Sequence, residues 1–118
     1  MFKVIIAGSR TFNDYELLKT KLDHILKNKK DIVIISGTAN GADKLGERYA
    51  KEKGYEVIRM PANWELYGKR SGYIRNEEMA KVADGCVIFW DGISKGSKHM
   101  ADLAEKYKLQ LKIIKFEV

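Results

Sequence analysis

Cysteine occurs once in the 118 residues, at Cys86. A single thiol cannot close a disulfide within the chain, and no cysteine-based zinc site can be built around it. Cys86 also lies inside the apolar run Cys86-Val87-Ile88-Phe89-Trp90, where a small buried core residue is expected rather than a reactive thiol. Histidine is almost as scarce. His24 and His99 stand alone and no H-E-x-x-H occurs, so no all-protein metal site is expected. Long apolar stretches are missing as well. None approaches the roughly 20 residues that a membrane span requires, and the short apolar run at the N-terminus reads as a first strand, not as a signal peptide. A cytoplasmic location without membrane contact is the expectation. Two nucleotide-binding signatures are also absent. No G-x-G-x-x-G follows the first apolar run, and Gly68-Lys69-Arg70 lacks the upstream glycine and the hydroxyl of a P-loop.

What is present suits one soluble domain over residues 1–118. Hydrophobic residues make up 45% and charged residues 32%, enough for a real core without disulfides or metal. The net charge of +6 and pI near 9.4 favour phosphorylated or polyanionic partners in general. The one dense basic cluster, Lys27, Lys29 and Lys30, falls at a predicted helix end, where cations meet the negative pole of the helix dipole.

Short β-rich runs alternate with amphipathic stretches. Residues 2–7, 32–35, 55–59, 86–90 and 111–116 read as five strands. The unbroken Val/Ile runs suit strands covered on both faces, the parallel-sheet case. Between them, Leu18, Leu22, Ile25 and Leu26 mark one helical stripe, with Asn13 as its cap and Glu16 as a capping-box partner. Leu45, Tyr49 and Ala50 mark a second stripe. Ile74, Met79, Val82 and Ala83 mark a third. Met100, Leu103, Ala104 and Tyr107 mark a fourth, with Ser97 as its cap. The alternation predicts a three-layer αβα Rossmann-like fold, with a five-stranded parallel sheet in the order 3-2-1-4-5. Ligands of open α/β sheets bind beyond the carboxyl ends of the strands, where the winding reverses.

Glycines and polar residues gather at those carboxyl ends. Gly8-Ser9-Arg10-Thr11 follows the first strand. Ser36-Gly37-Thr38-Ala39-Asn40-Gly41-Ala42-Asp43 follows the second, and Asp91-Gly92-Ile93-Ser94-Lys95-Gly96-Ser97 follows the fourth. The last two run straight into helices, so backbone N–H groups and positive helix poles face the same edge, as an anion site requires. Residues 61–72 form an unusually long connection. Trp64 and Tyr67 there offer rings for stacking on a base, and Lys69 or Arg70 a cation for a phosphate. Arg75-Asn76 follows, placed on the first turn of the next helix. The candidate ligand-binding set is Gly8, Ser9, Arg10, Ser36, Gly37, Gly41, Ala42, Asp43, Trp64, Arg75, Asn76, Asp91, Gly92, Gly96 and Ser97.

Five of these motifs, in order, are Gly8-Ser9-Arg10, Ser36-Gly37-x-Ala39-x-Gly41-Ala42-Asp43, Pro61-Ala62-x-Trp64, Arg75-Asn76-x-x-Met79 and Trp90-Asp91-Gly92-x-Ser94-x-Gly96-Ser97. Nearly end to end, the chain resembles the YspA-like, cpYpsA-related family of the SLOG superfamily. The resemblance implies a Rossmann-like domain for a nucleotide-derived ligand. The superfamily also holds DprA, the LOG phosphoribohydrolases and sensors expected in phage and bacterial conflict. Its relatives imply a homodimer. LOG enzymes carry a catalytic glutamate in Gly-Gly-x-Gly-Thr-x-x-Glu. Here Gly41 is followed by Ala42-Asp43-Lys44-Leu45, and Gly96 by Ser97-Lys98-His99-Met100, with no glutamate at that position.

Three function classes stay open. The first is a sensor or sequestering module for a nucleotide or ADP-ribose-like phosphate ligand. The second is a hydrolase of N-glycosidic or phosphate bonds in nucleotides, with Asp43 and Asp91 as its acids or bases. The third is a nucleic-acid-binding protein, whose affinity would fall steeply with salt. No cofactor is required by any of them, and a divalent cation would enter with the ligand's phosphates.

Overall fold

The computed structural model describes residues 1–117. Five strands, β1 (Phe2–Gly8), β2 (Ile32–Ser36), β3 (Glu56–Arg59), β4 (Gly85–Trp90) and β5 (Gln110–Lys115), form one sheet. The order is β3-β2-β1-β4-β5, and every pairing is parallel. Helices α1 (Tyr15–Leu26), α2 (Ala42–Lys53), α3 (Trp64–Tyr67), α4 (Ser71–Val82) and α5 (Lys95–Lys106) fill the connections. Winding reverses between β1 and β4, as the alternation predicts.

The strand runs divide cleanly by parity. Val4, Ile6, Ile32, Ile34, Val87 and Phe89 pack with Leu18 and Leu22 of α1 and with Tyr49 and Ala50 of α2. Ile5, Ala7, Ile35, Cys86 and Ile88 face the other way, onto Met79 and Ala80 of α4 and Met100 and Ala104 of α5. Successive strand side chains point to opposite faces, so an unbroken apolar run is what a doubly covered strand needs. Cys86 is fully buried, and burial pushes its thiol up to about 12, which makes it an inert core residue.

Three local expectations are corrected. Asp14, not Asn13, caps α1, because its carboxylate reaches the amide of Leu17 at 3.0 Å. Glu16 then falls one position short of a capping box. Ser94, not Ser97, caps α5, and Ser97 is buried inside the first turn. Residues 61–72 are not a plain loop. Asn63 caps the short α3, a 3₁₀ turn spans Gly68–Arg70, and α4 begins at Ser71. The Ser71 hydroxyl donates to the carbonyls of Asn63 and Gly68, which ties this segment together. Arg75 and Asn76 therefore stand on the second turn of α4, not the first.

Candidate functional site

A cleft of about 460 Å³ opens at the carboxyl edge of the sheet. The β1 loop contributes Gly8, Ser9, Arg10 and Thr11. Ala39 and Asp43 come from beyond β2, and Asp91, Ser94, Gly96 and Ser97 from beyond β4. Trp64 and Lys69 enter from the segment after β3, and Gly72, Tyr73, Arg75, Asn76 and Met79 from α4. Ten of the fifteen residues picked out from the sequence line this hollow. Ser36, Gly37, Gly41, Ala42 and Gly92 do not.

Those five build the frame. Gly41 precedes α2 with φ +81°, a conformation that L side chains rarely adopt. A Cβ on it would meet the Ser9 carbonyl at 2.3 Å, and one on Gly8 would meet the Phe89 carbonyl at 2.1 Å. These two positions let the start of α2 and the end of β4 close onto the β1 loop. The Ala42 amide then donates to the Ser9 carbonyl. The buried Ser9 hydroxyl accepts from the Asp91 amide at 3.0 Å, linking the loops on either side of the winding reversal. Gly92 turns the chain at φ +85°. Ser36 is buried and donates to Glu47 at 2.6 Å while accepting from the Thr38 amide at 3.0 Å. Glu47 is held in turn by Arg59 at 3.0 Å.

The segment between β2 and α2 is pinned at Gly37, Thr38 and Ala39. Thr38 takes φ +66°, a strained state for a β-branched side chain. Its amide bonds to Ser36. The Gly37 carbonyl accepts from Arg75 Nη1, and the Ala39 amide donates to Asp43 Oδ2 at 3.1 Å. Gly37 leaves room for this arrangement. A Cβ there would lie 2.9 Å from both Arg75 Nη1 and Asp43 Oδ2, so the carboxylate and the guanidinium flank its Cα.

The two candidate acids differ. Asp43 is 5% exposed, and burial raises its carboxyl to about 6 against the opposing pull of the Ala39 amide, Arg75 and Arg10. Asp91 accepts from the Ile93 and Ser94 amides, both at 2.8 Å. Those amides hold its carboxyl below the usual range, and the bonds commit one oxygen to the turn that starts α5. Near neutral pH only Asp43 has a proton to exchange.

Arg75 donates Nε to Asn76 Oδ1 at 3.1 Å and Nη1 to Gly37. A guanidinium has five N–H groups, so three remain for a ligand. Gly96, in the first turn of α5, has no atom within 4 Å of the place its Cβ would take. Unlike Gly8 and Gly41, it answers no packing demand of the protein and leaves space at a helix start. Trp64 is 56% and Tyr73 46% exposed, and both line the cleft, while Tyr67 and Arg70 do not.

Sequence reasoning passed over Gly72, Tyr73, Met79, Ser94, Met100 and Ala39 as lining residues. A signal existed for the first three. Tyr73, Asn76 and Met79 are spaced at i, i+3, i+6, and Gly72 and Asn76 at i, i+4, so they share one helix face. Among the described residues, no group of three His, Cys, Asp or Glu side chains could hold a metal ion. Among the same described residues, no helix is long and apolar enough to cross a membrane.

The fold and these motifs have counterparts. In solved structures, DNA processing protein A (DprA) from Streptococcus pneumoniae matches with a TM-score of 0.79 at 19% identity, over 100% of this chain and 52% of that one. A DprA structure from Helicobacter pylori, described for its single-stranded DNA binding mode, matches with a TM-score of 0.67 at 24% identity, over 95% of this chain and 64% of that one. The chain thus spans about half to two-thirds of those proteins, and the likeness is one of fold. The Gene 61 protein of Mycobacterium phage D29 is 34% identical over 113 residues, 90% of either chain. The model of the YspA, cpYpsA-related SLOG family (YAcAr) matches residues 2–67. By that match, and by the phage relative spanning nine-tenths of its length, the chain belongs to the YspA, cpYpsA-related SLOG family.

Proposed function

We propose that this protein binds a nucleotide or a nucleotide-derived phosphate ligand of the ADP-ribose class, as a sensor or sequestering module. The observation that carries this reading is Arg75. Its guanidinium is half-buried, fixed by two hydrogen bonds, and has three unused N–H groups in a cleft beside the starts of α2 and α5. Fixed, partly desolvated cations and helix N-termini favour phosphate. Trp64 and Tyr73 supply ring faces for a base at the same cleft. Gly8, Ser9, Arg10, Asp43, Asn76, Asp91, Gly96 and Ser97 complete the proposed contact set, with Ser36, Gly37, Gly41, Ala42 and Gly92 as its frame.

Native mass spectrometry of freshly purified protein tests this directly. The expected result is an intact nucleotide-type adduct, lost in Arg75→Ala. Recovery of base and sugar phosphate instead would move the assignment to the hydrolase class, for which Asp43 is the acid with a fitting proton affinity. Nucleic-acid binding is the second reading. The Helicobacter pylori neighbour is described as binding single-stranded DNA, and exposed Trp64 and Tyr73 stand beside Lys69 and Arg10. Under that reading, oligonucleotide affinity exceeds mononucleotide affinity and falls steeply with salt.

A further inference from the structure

We propose that His99 is a positioning residue, which fixes the Arg75 guanidinium through Asn76. The inference rests on the reading of the cleft as an anion site, and it follows from donor and acceptor chemistry along three side chains. Arginine Nε can only donate. The atom of Asn76 that faces it at 3.1 Å is therefore the amide oxygen. The other end of the same amide is then NH₂, and it faces His99 Nδ1 at 3.3 Å. An NH₂ group can only donate, so Nδ1 must carry a lone pair and the ring proton must sit on Nε2. The arginine dictates the histidine's tautomer, and the histidine in return keeps the asparagine from turning over.

The surroundings support this assignment. Asn76 is 7% exposed, so a lost partner cannot be replaced by bulk water at no cost. His99 is clamped edge-on against Tyr73, with ring centroids 4.6 Å apart and planes at 78°. The charged groups that act on the ring are Glu77 on α4 and Asp102 on α5. Both favour an imidazolium, but Glu77 is shared with Lys106 and Tyr107 and Asp102 with Lys98, and burial outweighs their pull. A protonated ring would point an N–H at the Asn76 NH₂ group. The amide would then lose its partner or turn, and Arg75 would lose the acceptor at Nε. His99 was an isolated histidine in the sequence, because its partner is 23 residues away and meets it only across the α4–α5 packing.

Asparagine and leucine at position 99 separate positioning from packing. An asparagine Oδ1 can occupy the place of Nδ1 as an acceptor that does not titrate, whereas leucine fills space without accepting. The probes are ADP-ribose and, in parallel, sulfate, neither of which titrates between about pH 5 and pH 8. Loss of one buried hydrogen bond predicts roughly tenfold weaker binding for His99→Leu at about pH 8, with His99→Asn within about twofold of wild type. As pH falls to about 5, the wild-type affinity declines relative to His99→Asn; titration of Asp43 is common to both proteins and cancels in that ratio. The Arg75 Nε–H resonance is sharp and slow to exchange in wild type and in His99→Asn, and broadened in His99→Leu. Wild-type affinity and a sharp Nε–H signal in His99→Leu would overturn the proposal, as would a ratio that stays constant while the His99 ring is seen by NMR to protonate. If neither probe binds wild type, the anion-site reading fails and the Nε–H signal alone decides the role of His99. If His99→Leu does not fold, the His99→Asn ratio decides it.

Discussion

Asp43 gives the residue scale its sharpest test. Its carboxyl titrates at about 6 in the fold against 3.8 for the free side chain, so between those values the folded state holds a proton that the unfolded chain has released. Stability linked to this group is therefore complete at low pH and declines as pH rises through about 6. At about pH 8 the ionised Asp43 costs the protein up to about 3 kcal/mol. Asp43→Asn should accordingly be more stable than wild type to urea at about pH 8, with the difference closing near pH 4. An asparagine variant less stable at about pH 8 would mean that the buried carboxylate is instead held by its neighbours' charge. At Arg75, methionine keeps much of the stem and removes the charged fork. The loss of charge-assisted bonds predicts ADP-ribose binding weaker by roughly 10- to 100-fold for Arg75→Met, readable by calorimetry.

Residue type was legible where chemistry is local, and less so where it depends on a partner far along the chain. Arg75, Asp43 and Gly96 all stand at the cleft, as their motifs imply. Ser36 was grouped with them because it ends a strand beside a glycine. Its hydroxyl belongs instead to Glu47 on α2, and no pattern in the sequence announces a serine–glutamate pair 11 residues apart.

At the scale of elements, the glycines separate into two kinds. Gly41→Ala would place a methyl group 2.3 Å from a backbone oxygen at a positive φ. A loss of roughly 2–4 kcal/mol is expected, since backbone must shift to admit it. Gly96→Ala meets nothing and replaces a poor helix former by the best, a gain of up to about 1 kcal/mol. The same methyl group stands at the start of α5 on the cleft. Gly96→Ala should therefore melt at a higher temperature and bind the nucleotide ligand less well. A variant that melted higher and bound unchanged would remove α5 from the site. The helix caps show why element boundaries slipped in the sequence reading. Asn13 and Asp14 are adjacent and both can cap, and only the three-dimensional reach to Leu17 selects between them. Ser94 and Ser97 compete in the same way. In the sequence the segment around α3 is an unusually long connection, in which Gly68 and Gly72 weaken any helical pattern. Its order comes from the Ser71 hydroxyl closing back onto two carbonyls.

At the scale of the molecule, the sheet order was readable because the middles of β1, β2 and β4, at residues 4–7, 32–35 and 86–89, are buried and apolar without a break. The edge strands β3 and β5 hold no fully buried residue, and like the central strands they differ from the sequence reading by a residue at one end or both. The crossover rules that follow from this pattern bring the loops after β1 and β4 together. The Ser9–Asp91 hydrogen bond is the local seal on that arrangement. Under the proposed function, the carboxyl edge of the sheet receives a nucleotide phosphate. The most direct measurement is an amide chemical-shift titration of the folded protein with ADP-ribose and AMP. Saturable shifts should concentrate on Gly8, Ser9, Arg10, Tyr73, Arg75, Gly96 and Ser97. No shifts with either compound, or shifts centred on the opposite edge at Phe2, Gly85 and Gln110, would contradict the account.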